Sequence, residues 1–201
     1  MRVADFVVAK LKEYGVKNYH VVTGRGALFL NDALAKDKMA SKTFYHHEQA
    51  AAYSAMAQSQ LDLKIHVCMV SSGCASTNVI TPTLCAWQDS IPMMIVSGQN
   101  VLNETTRHTG LNIKTYGQQE ADLIKMVESI TKYSAMLEDP KTIRYHLEKA
   151  IHLARTGKKG PVWIDIPLDL QNMHVNPEEL ASFEPVNEDY NVSERDVNLV
   201  A

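Results

Sequence analysis

The residue best placed to carry chemistry in this sequence is Glu48. It follows a short run of strand-forming residues, Phe44–His46, and precedes an alanine-rich segment, Ala50–Ala57, of high helix propensity. Open α/β sheets bind their ligands at the carboxyl ends of their strands, so a functional carboxylate belongs at such a junction. The alternative is that Glu48 is only a first-turn acid stabilised by the helix dipole. Glu48 is therefore the first candidate for a catalytic or cofactor-binding group.

Two turns of small residues could also approach a ligand closely. Gly24-Arg25-Gly26 follows a predicted strand, and the segment 71–78, Ser-Ser-Gly-Cys-Ala-Ser-Thr-Asn, follows another. Nothing bulky shields the backbone amides of segment 71–78, which favours contact with a ligand, although tight packing alone would also explain this turn. The glycine pair is not a dinucleotide fingerprint, because the third glycine is missing and position 29 is Phe.

The surrounding elements alternate between strands and helices. Apolar and β-branched runs predict strands at residues 18–23, 44–46, 65–70, 93–97, 133–136 and 161–166. Helical patterns fill most of the intervals, including 119–127, and Pro82 predicts a kink or an early irregular turn in the helix that follows the second small-residue turn. The prediction is an α/β domain over residues 1–171: a doubly wound, six-stranded, mainly parallel sheet with helices on both faces. The polar residues 172–201 are predicted to be a linker or tail towards a missing central domain.

Composition excludes several classes of function. The formal net charge is -3 at pH 7 and the basic residues are scattered, so there is no basic footprint for nucleic acid. No apolar stretch is long enough to span a membrane, and the acid at Asp5, where a signal peptide would begin its apolar run, disfavours a signal sequence. The odd cysteine count, three, fits a reducing, cytoplasmic compartment.

Adjacent His46 and His47 would point to opposite faces of a strand, which disfavours a shared metal ion.

Six motifs occur in an order that resembles a known family. They are His47-Glu48-Gln49-Ala50-Ala51, residues 72–78, Asp89-Ser90-Ile91-Pro92, Ser97-Gly98-Gln99, Gln119-Glu120-Ala121-Asp122 and residues 160–167. The chain resembles the N-terminal, pyrimidine-binding domain of thiamine diphosphate enzymes of the acetolactate synthase and pyruvate oxidase group. The resemblance extends over essentially everything up to Gln171.

The resemblance implies roles for individual residues. Glu48 would hydrogen-bond the cofactor's pyrimidine ring and favour the tautomer that activates it, and Gln119 would approach the substrate. Together these two form the expected catalytic set. The residues implied in cofactor binding, besides Glu48, are Gly24, Gly26, Ser72, Gly73 and Asn78. Three positions depart from the family pattern: Arg25 replaces a small residue, Gln118 an aromatic residue and Leu168 a frequent lysine.

The resemblance also implies that the chain holds half of an active site. In the family, another domain binds the diphosphate and Mg²⁺ through a Gly-Asp-Gly motif, which this sequence lacks. The expected partners are therefore a 2-oxo acid substrate and the diphosphate-binding domain of another subunit or chain, in a homo-oligomer. The implied activity is decarboxylation with carboligation. A subunit of a split 2-oxo acid decarboxylase and a non-catalytic assembly domain are the alternatives.

Overall fold

The computed structural model describes residues 1–185, which form a sheet of six parallel strands. The strands are β1 Asn18–Val21, β2 Ser41–Phe44, β3 His66–Val70, β4 Met93–Gln99, β5 Tyr133–Met136 and β6 Val162–Pro167. Their spatial order is β2-β1-β3-β4-β6-β5. The predicted α/β class is confirmed, and the sheet is parallel throughout instead of mainly parallel.

Helices cover both faces of the sheet. They are α1 Val3–Glu13, α2 Leu28–Lys36, α3 Glu48–Asp62, α4 Cys74–Thr77, α5 Ile80–Gln88, α6 Thr106–Thr109, α7 Leu123–Val127, α8 Ile143–Arg155 and α9 Leu168–Asn172. One apolar cluster lies between the sheet and α1, α2 and α8, and another lies beneath α3, α5 and α7. Successive residues of β3, β4 and β6 alternate between these clusters, as the period of a strand requires. No helix within the described residues is long and apolar enough to cross a membrane.

Three predicted elements differ in detail from the structure. The second strand was expected at Phe44–His46 but spans Ser41–Phe44, and it lies at an exposed sheet edge, where burial leaves little pattern to read. The helix expected from Gln119 begins at Leu123. Of the two outcomes expected for the helix after the second small-residue turn, the structure has the early interruption, between α4 and α5, and Pro82 lies within the first turn of α5, where a proline is tolerated.

The chain after Gln171 stays against the domain over most of its described length. Val175 and Leu180 are buried in the cluster with α1 and α8, and the Phe183 amide donates to Glu148 Oε2 at 2.9 Å. The prediction that the chain leaves the core at this point is therefore wrong for this part of the chain. Residues 186–201, which contain most of the predicted linker, lie outside the described residues.

A buried polar network joins β4 to β6. Asp165 faces Ser97 across the two strands, and Ser97 Oγ donates to Asp165 Oδ1 at 2.5 Å while accepting from Trp163 Nε1 at 2.8 Å. Gln99 Nε2 donates to Asp165 Oδ2 at 3.0 Å. Burial nevertheless raises the pKa of Asp165 from its ordinary value of 3.8 to about 7, against the opposing hydrogen bonds from Ser97 and Gln99.

This shifted pKa predicts a pH-dependent stability. The folded protein holds the Asp165 proton up to about pH 7, whereas the unfolded chain releases it near pH 3.8. The stabilising contribution is therefore complete below the unfolded pKa and is lost as the pH rises through the folded pKa. We expect Asp165→Asn to remove this dependence, which corresponds to roughly 4 kcal/mol between about pH 4 and pH 7.

Urea unfolding of wild type and Asp165→Asn across this range measures the effect as a difference. The paired comparison is needed because burial lowers the pKa values of His20 and His146, and these rings change stability in the opposite sense as the pH rises. Parallel stability curves for the two proteins would contradict the prediction.

Candidate functional site

A cavity opens at the carboxyl edge of the sheet, beside the point where the strand order reverses between β1 and β3. Strand β2 pairs with β1 on one side, and β3 pairs with β1 on the opposite side. Open α/β sheets bind their ligands at such a reversal of strand order. The cavity has a volume of about 250 Å³. Its lining residues are Thr23, Gly24, Arg25, Gly26, Glu48, Ser71, Ser72, Ala75, Gln99, Asn100, Gln118, Gln119 and Leu168.

Glu48 is the acidic residue of this lining, and it is the first residue of α3. Its half-buried carboxyl group accepts a hydrogen bond at Oε2 from Asn78 Nδ2 at 2.9 Å, and Oε1 accepts none from the described residues. The start of α3 is fixed by His47, whose Nδ1 accepts from the Gln49 amide at 3.2 Å. The Glu48 carboxylate also adds to the effect of burial in raising the pKa of the Cys68 thiol. One carboxylate oxygen is thus held in place while the other remains available to a ligand.

The turn after β1 packs directly on the turn after β3. The Gly26 amide donates to Ser71 Oγ at 3.1 Å, and a Cβ built on Gly26 would lie only 2.7 Å from Ser72 Cβ. The Ser71 carbonyl in turn accepts from Ser76 Oγ. Glycine at position 26 therefore allows backbone and hydroxyl groups, instead of bulky side chains, to form this wall of the cavity.

Gln119 reaches the cavity from the long connection between β4 and β5. It has a φ of 58°, in the left-handed region that few residues other than glycine adopt. Its carbonyl oxygen lies against Gly73, so closely that a Cβ on Gly73 would come within 1.3 Å of it. A strained conformation held in place by surrounding contacts is typical of functional sites.

The predicted site residues divide into two groups in the structure. Gly24, Gly26, Glu48, Ser72 and Gln119 all line the cavity. Gly73 and Asn78 are not part of the lining: buried Gly73 lies against the Gln119 carbonyl, and exposed Asn78 donates to Glu48. These positions bring the predicted residues together, while their chemical roles stay predictions.

Several lining residues have no role predicted from the sequence, notably Thr23, Ser71, Gln99 and Asn100. Gln99 and Asn100 are both buried. Each residue of this group stands at or within two residues of the end of a strand. The rule that places ligands at the carboxyl ends of parallel strands could have identified them, although it also selects residues with no contact to the cavity.

Comparison with known proteins identifies the family. The family described as "Thiamine pyrophosphate enzyme, N-terminal TPP binding domain" matches residues 1–126. The chain belongs to this family.

Similar proteins include several acetolactate synthases. The chain is 33% identical over 173 residues to the acetolactate synthase large subunit of Corynebacterium glutamicum, covering 86% of this chain and 26% of that protein. It is 32% identical over 168 residues to the acetolactate synthase isozyme 1 large subunit of Escherichia coli (strain K12), covering 84% and 28%. It is 29% identical over 174 residues to acetolactate synthase 1, chloroplastic, of Zea mays, covering 87% and 26%. The matched region thus spans about a quarter of each of these relatives.

Proposed function

We propose that this chain is the pyrimidine-binding half of a thiamine diphosphate-dependent enzyme similar to acetolactate synthase, which decarboxylates a 2-oxo acid and transfers the remaining fragment to an acceptor. The observation that carries the proposal is the Glu48 carboxyl group, which Asn78 orients at the wall of the switch-point cavity. The family match and the acetolactate synthase relatives support the same assignment.

The residues present fit the pyrimidine end of the cofactor. The cavity volume of about 250 Å³ lies below the range of roughly 300–1,000 Å³ typical of whole-ligand pockets, as suits a site for one ring of a larger molecule. Glu48 Oε1 can share a proton with a ring nitrogen, and the glycine turn allows the ring to approach the backbone. When bound, thiamine diphosphate supplies the nucleophilic carbon that attacks the 2-oxo acid carbonyl and accepts the electrons left when carbon dioxide departs.

A partner domain would hold the diphosphate and Mg²⁺. Arg25 is the only cation among the described residues that line the cavity, which offers little neutralisation to a diphosphate. Apolar side chains are exposed on the helix that starts at Glu48 and on the helix packed against it: Tyr53 on α3, and Leu84 and Trp87 on α5. We infer that this surface contacts the diphosphate-binding domain of another subunit or chain, in a homo-oligomer.

The substrate side of the cavity distinguishes this chain from the family pattern. Arg25 Nη1 lies 3.5 Å from Gln118 Oε1, and Leu168 contributes an apolar wall where a lysine is frequent in the family. Leu168 offers no charge to a second carboxylate, and the Arg25 guanidinium lies against Gln118, so we infer that pyruvate is a poor acceptor. The donor remains a 2-oxo acid.

This inference predicts poor acetolactate formation from pyruvate alone. We expect the native protein, isolated with its further domains or subunits, to form acetolactate with a kcat/KM below about 10⁴ M⁻¹s⁻¹. The measurement is a coupled assay of acetolactate with pyruvate as the only substrate. A kcat/KM at or above that value would show that Leu168 does not exclude pyruvate as the acceptor.

The wider proposal is tested by carbon dioxide release. The native protein is freed of cofactor and then supplied with thiamine diphosphate, Mg²⁺ and a set of 2-oxo acids. We expect release from at least one 2-oxo acid only when thiamine diphosphate is present. Failure to bind thiamine diphosphate, or release independent of it, would contradict the proposed function.

A further inference from the structure

The connection that carries Gln119 is held at both of its flanks by side chains from the end of β4. Asn100 Nδ2 donates to the Gln118 carbonyl at 2.8 Å, and Gln99 Nε2 donates to the Ala121 carbonyl at 3.1 Å. Both donors are buried. Gln119, which lines the cavity, therefore lies between two residues whose carbonyl groups are hydrogen-bonded to side chains at the end of β4.

The orientation of the Gln99 amide depends on Asp165. Gln99 Nε2 donates to Asp165 Oδ2 at 3.0 Å as well as to Ala121, while Gln99 Oε1 accepts from the Asn100 amide at 3.0 Å. Reversing the amide would place its oxygen against the Ala121 carbonyl and its NH2 group against the Asn100 amide, so only the observed orientation satisfies these partners while Nε2 also donates to Asp165 Oδ2. Ser97 and Trp163 complete the network by fixing the other oxygen of Asp165.

We propose that Asp165 and Gln99 are positioning residues, which hold the segment Gln118–Ala121 so that Gln119 keeps its left-handed conformation at the cavity. This inference rests on the proposed function. Asp165 lies on β6, beneath the surface of the site, and acts through Gln99. The network does more than join two strands, because its last hydrogen bond leaves the sheet and ends on the connection next to Gln119.

The contacts of Gln119 explain why such support is needed. Gln119 lies in the left-handed region, which is unfavourable for a residue other than glycine and persists only when the surroundings fix it. Gly73 limits the position of the Gln119 carbonyl from one side, and the amides of Gln99 and Asn100 hold the neighbouring carbonyls. Loss of the Gln99 bond should therefore allow the segment to relax away from the cavity.

Amide hydrogen exchange tests the proposal without any assay of activity. One variant is Gln99→Met, which keeps the side-chain volume and removes its hydrogen bonds. The other is Asp165→Asn, whose single side-chain oxygen cannot accept hydrogen bonds from both Ser97 and Gln99. We expect exchange of residues 117–122 to accelerate by about tenfold or more in each variant, with far smaller changes in α8. The double variant should exceed the larger single effect by less than about twofold, because both changes act through one route.

The matched control is Thr83→Val, which removes a buried hydrogen bond outside the network, from Thr83 Oγ1 to the Val79 carbonyl at 2.8 Å. It should lower overall stability without accelerating exchange at residues 117–122 beyond the rest of the chain. Unchanged exchange of this segment in Gln99→Met, or an equal acceleration in Thr83→Val, would overturn the positioning role.

Kinetics of the native protein provide the second measurement. We expect Gln99→Met and Asp165→Asn to lower kcat by about tenfold or more while the Kd for thiamine diphosphate stays within about threefold, since Glu48 is untouched. A fall in kcat that only matches the loss of folded protein would overturn the proposal. If wild type shows no thiamine diphosphate-dependent reaction, the proposed function fails, and the exchange measurement alone decides whether Asp165 positions the segment.

Discussion

Replacement of Glu48 by glutamine in the native protein is expected to lower turnover by roughly a thousandfold while leaving the fold intact. Glutamine keeps the length of the side chain, and its carbonyl oxygen can still accept the hydrogen bond from Asn78 Nδ2. It cannot share a proton with a ring nitrogen, which is the role proposed for the free carboxylate oxygen. Circular dichroism and steady-state kinetics with a 2-oxo acid measure the two parts of this prediction.

Two further variants make the result specific. Glu128→Gln changes an exposed glutamate at the start of a 3-10 helix and should leave turnover unchanged. Asn78→Ala removes the group that orients Glu48 and should cause a smaller loss, on the order of tenfold. A Glu48→Gln variant that keeps more than about a third of wild-type turnover would exclude Glu48 from proton transfer.

A large loss of stability is expected for Gly73→Ala. Gly73 has a φ of 53° and a ψ of -115°, a combination that residues with a Cβ rarely adopt, and the new Cβ would lie 1.3 Å from the Gln119 carbonyl oxygen. The backbone of residues 119–120 would have to move away. We expect the free energy of unfolding to fall by at least about 3 kcal/mol, measured by urea unfolding.

Gly110→Ala separates backbone strain from steric overlap. Gly110 also has a positive φ, 67°, but nothing lies within 4 Å of the position its Cβ would take. We expect this variant to lose only about 1 kcal/mol, which is the cost of the left-handed conformation itself. Equal losses of unfolding free energy in the two variants would mean that steric overlap between the new Cβ and the Gln119 carbonyl adds nothing to the cost of the backbone conformation.

The sequence predicted the sheet best where its strands are buried. β3, β4 and β6 are buried along their whole length, so continuous apolar runs marked them closely. β2 is an exposed edge strand, and its composition carried little information about its bounds. Val175 and Leu180 were missed as core residues because each is an isolated apolar residue in a polar segment, and only the packed helices α1 and α8 provide their contacts.

The candidate site was predictable to the extent that local sequence determines it. Glu48 stands at a strand-to-helix junction that the sequence shows directly, although the strand ends earlier than predicted. The helix expected from Gln119 begins only at Leu123, because Gly73, Gln99 and Asn100 hold the preceding segment in another conformation. Asp165 and Gln99 lie 66 residues apart in the chain, so their contact follows from the register of β4 and β6 and not from either segment alone.

Whether Glu48 activates the bound cofactor is tested most directly by proton exchange at the thiazolium carbon of thiamine diphosphate, followed by NMR in deuterated buffer after acid quenching. The native protein should accelerate this exchange over that of the free cofactor. Glu48→Gln should bind the cofactor and lose about a thousandfold of the exchange rate, whereas Glu128→Gln should match wild type. Exchange in Glu48→Gln as fast as in wild type would contradict the assignment of this cavity as the pyrimidine site.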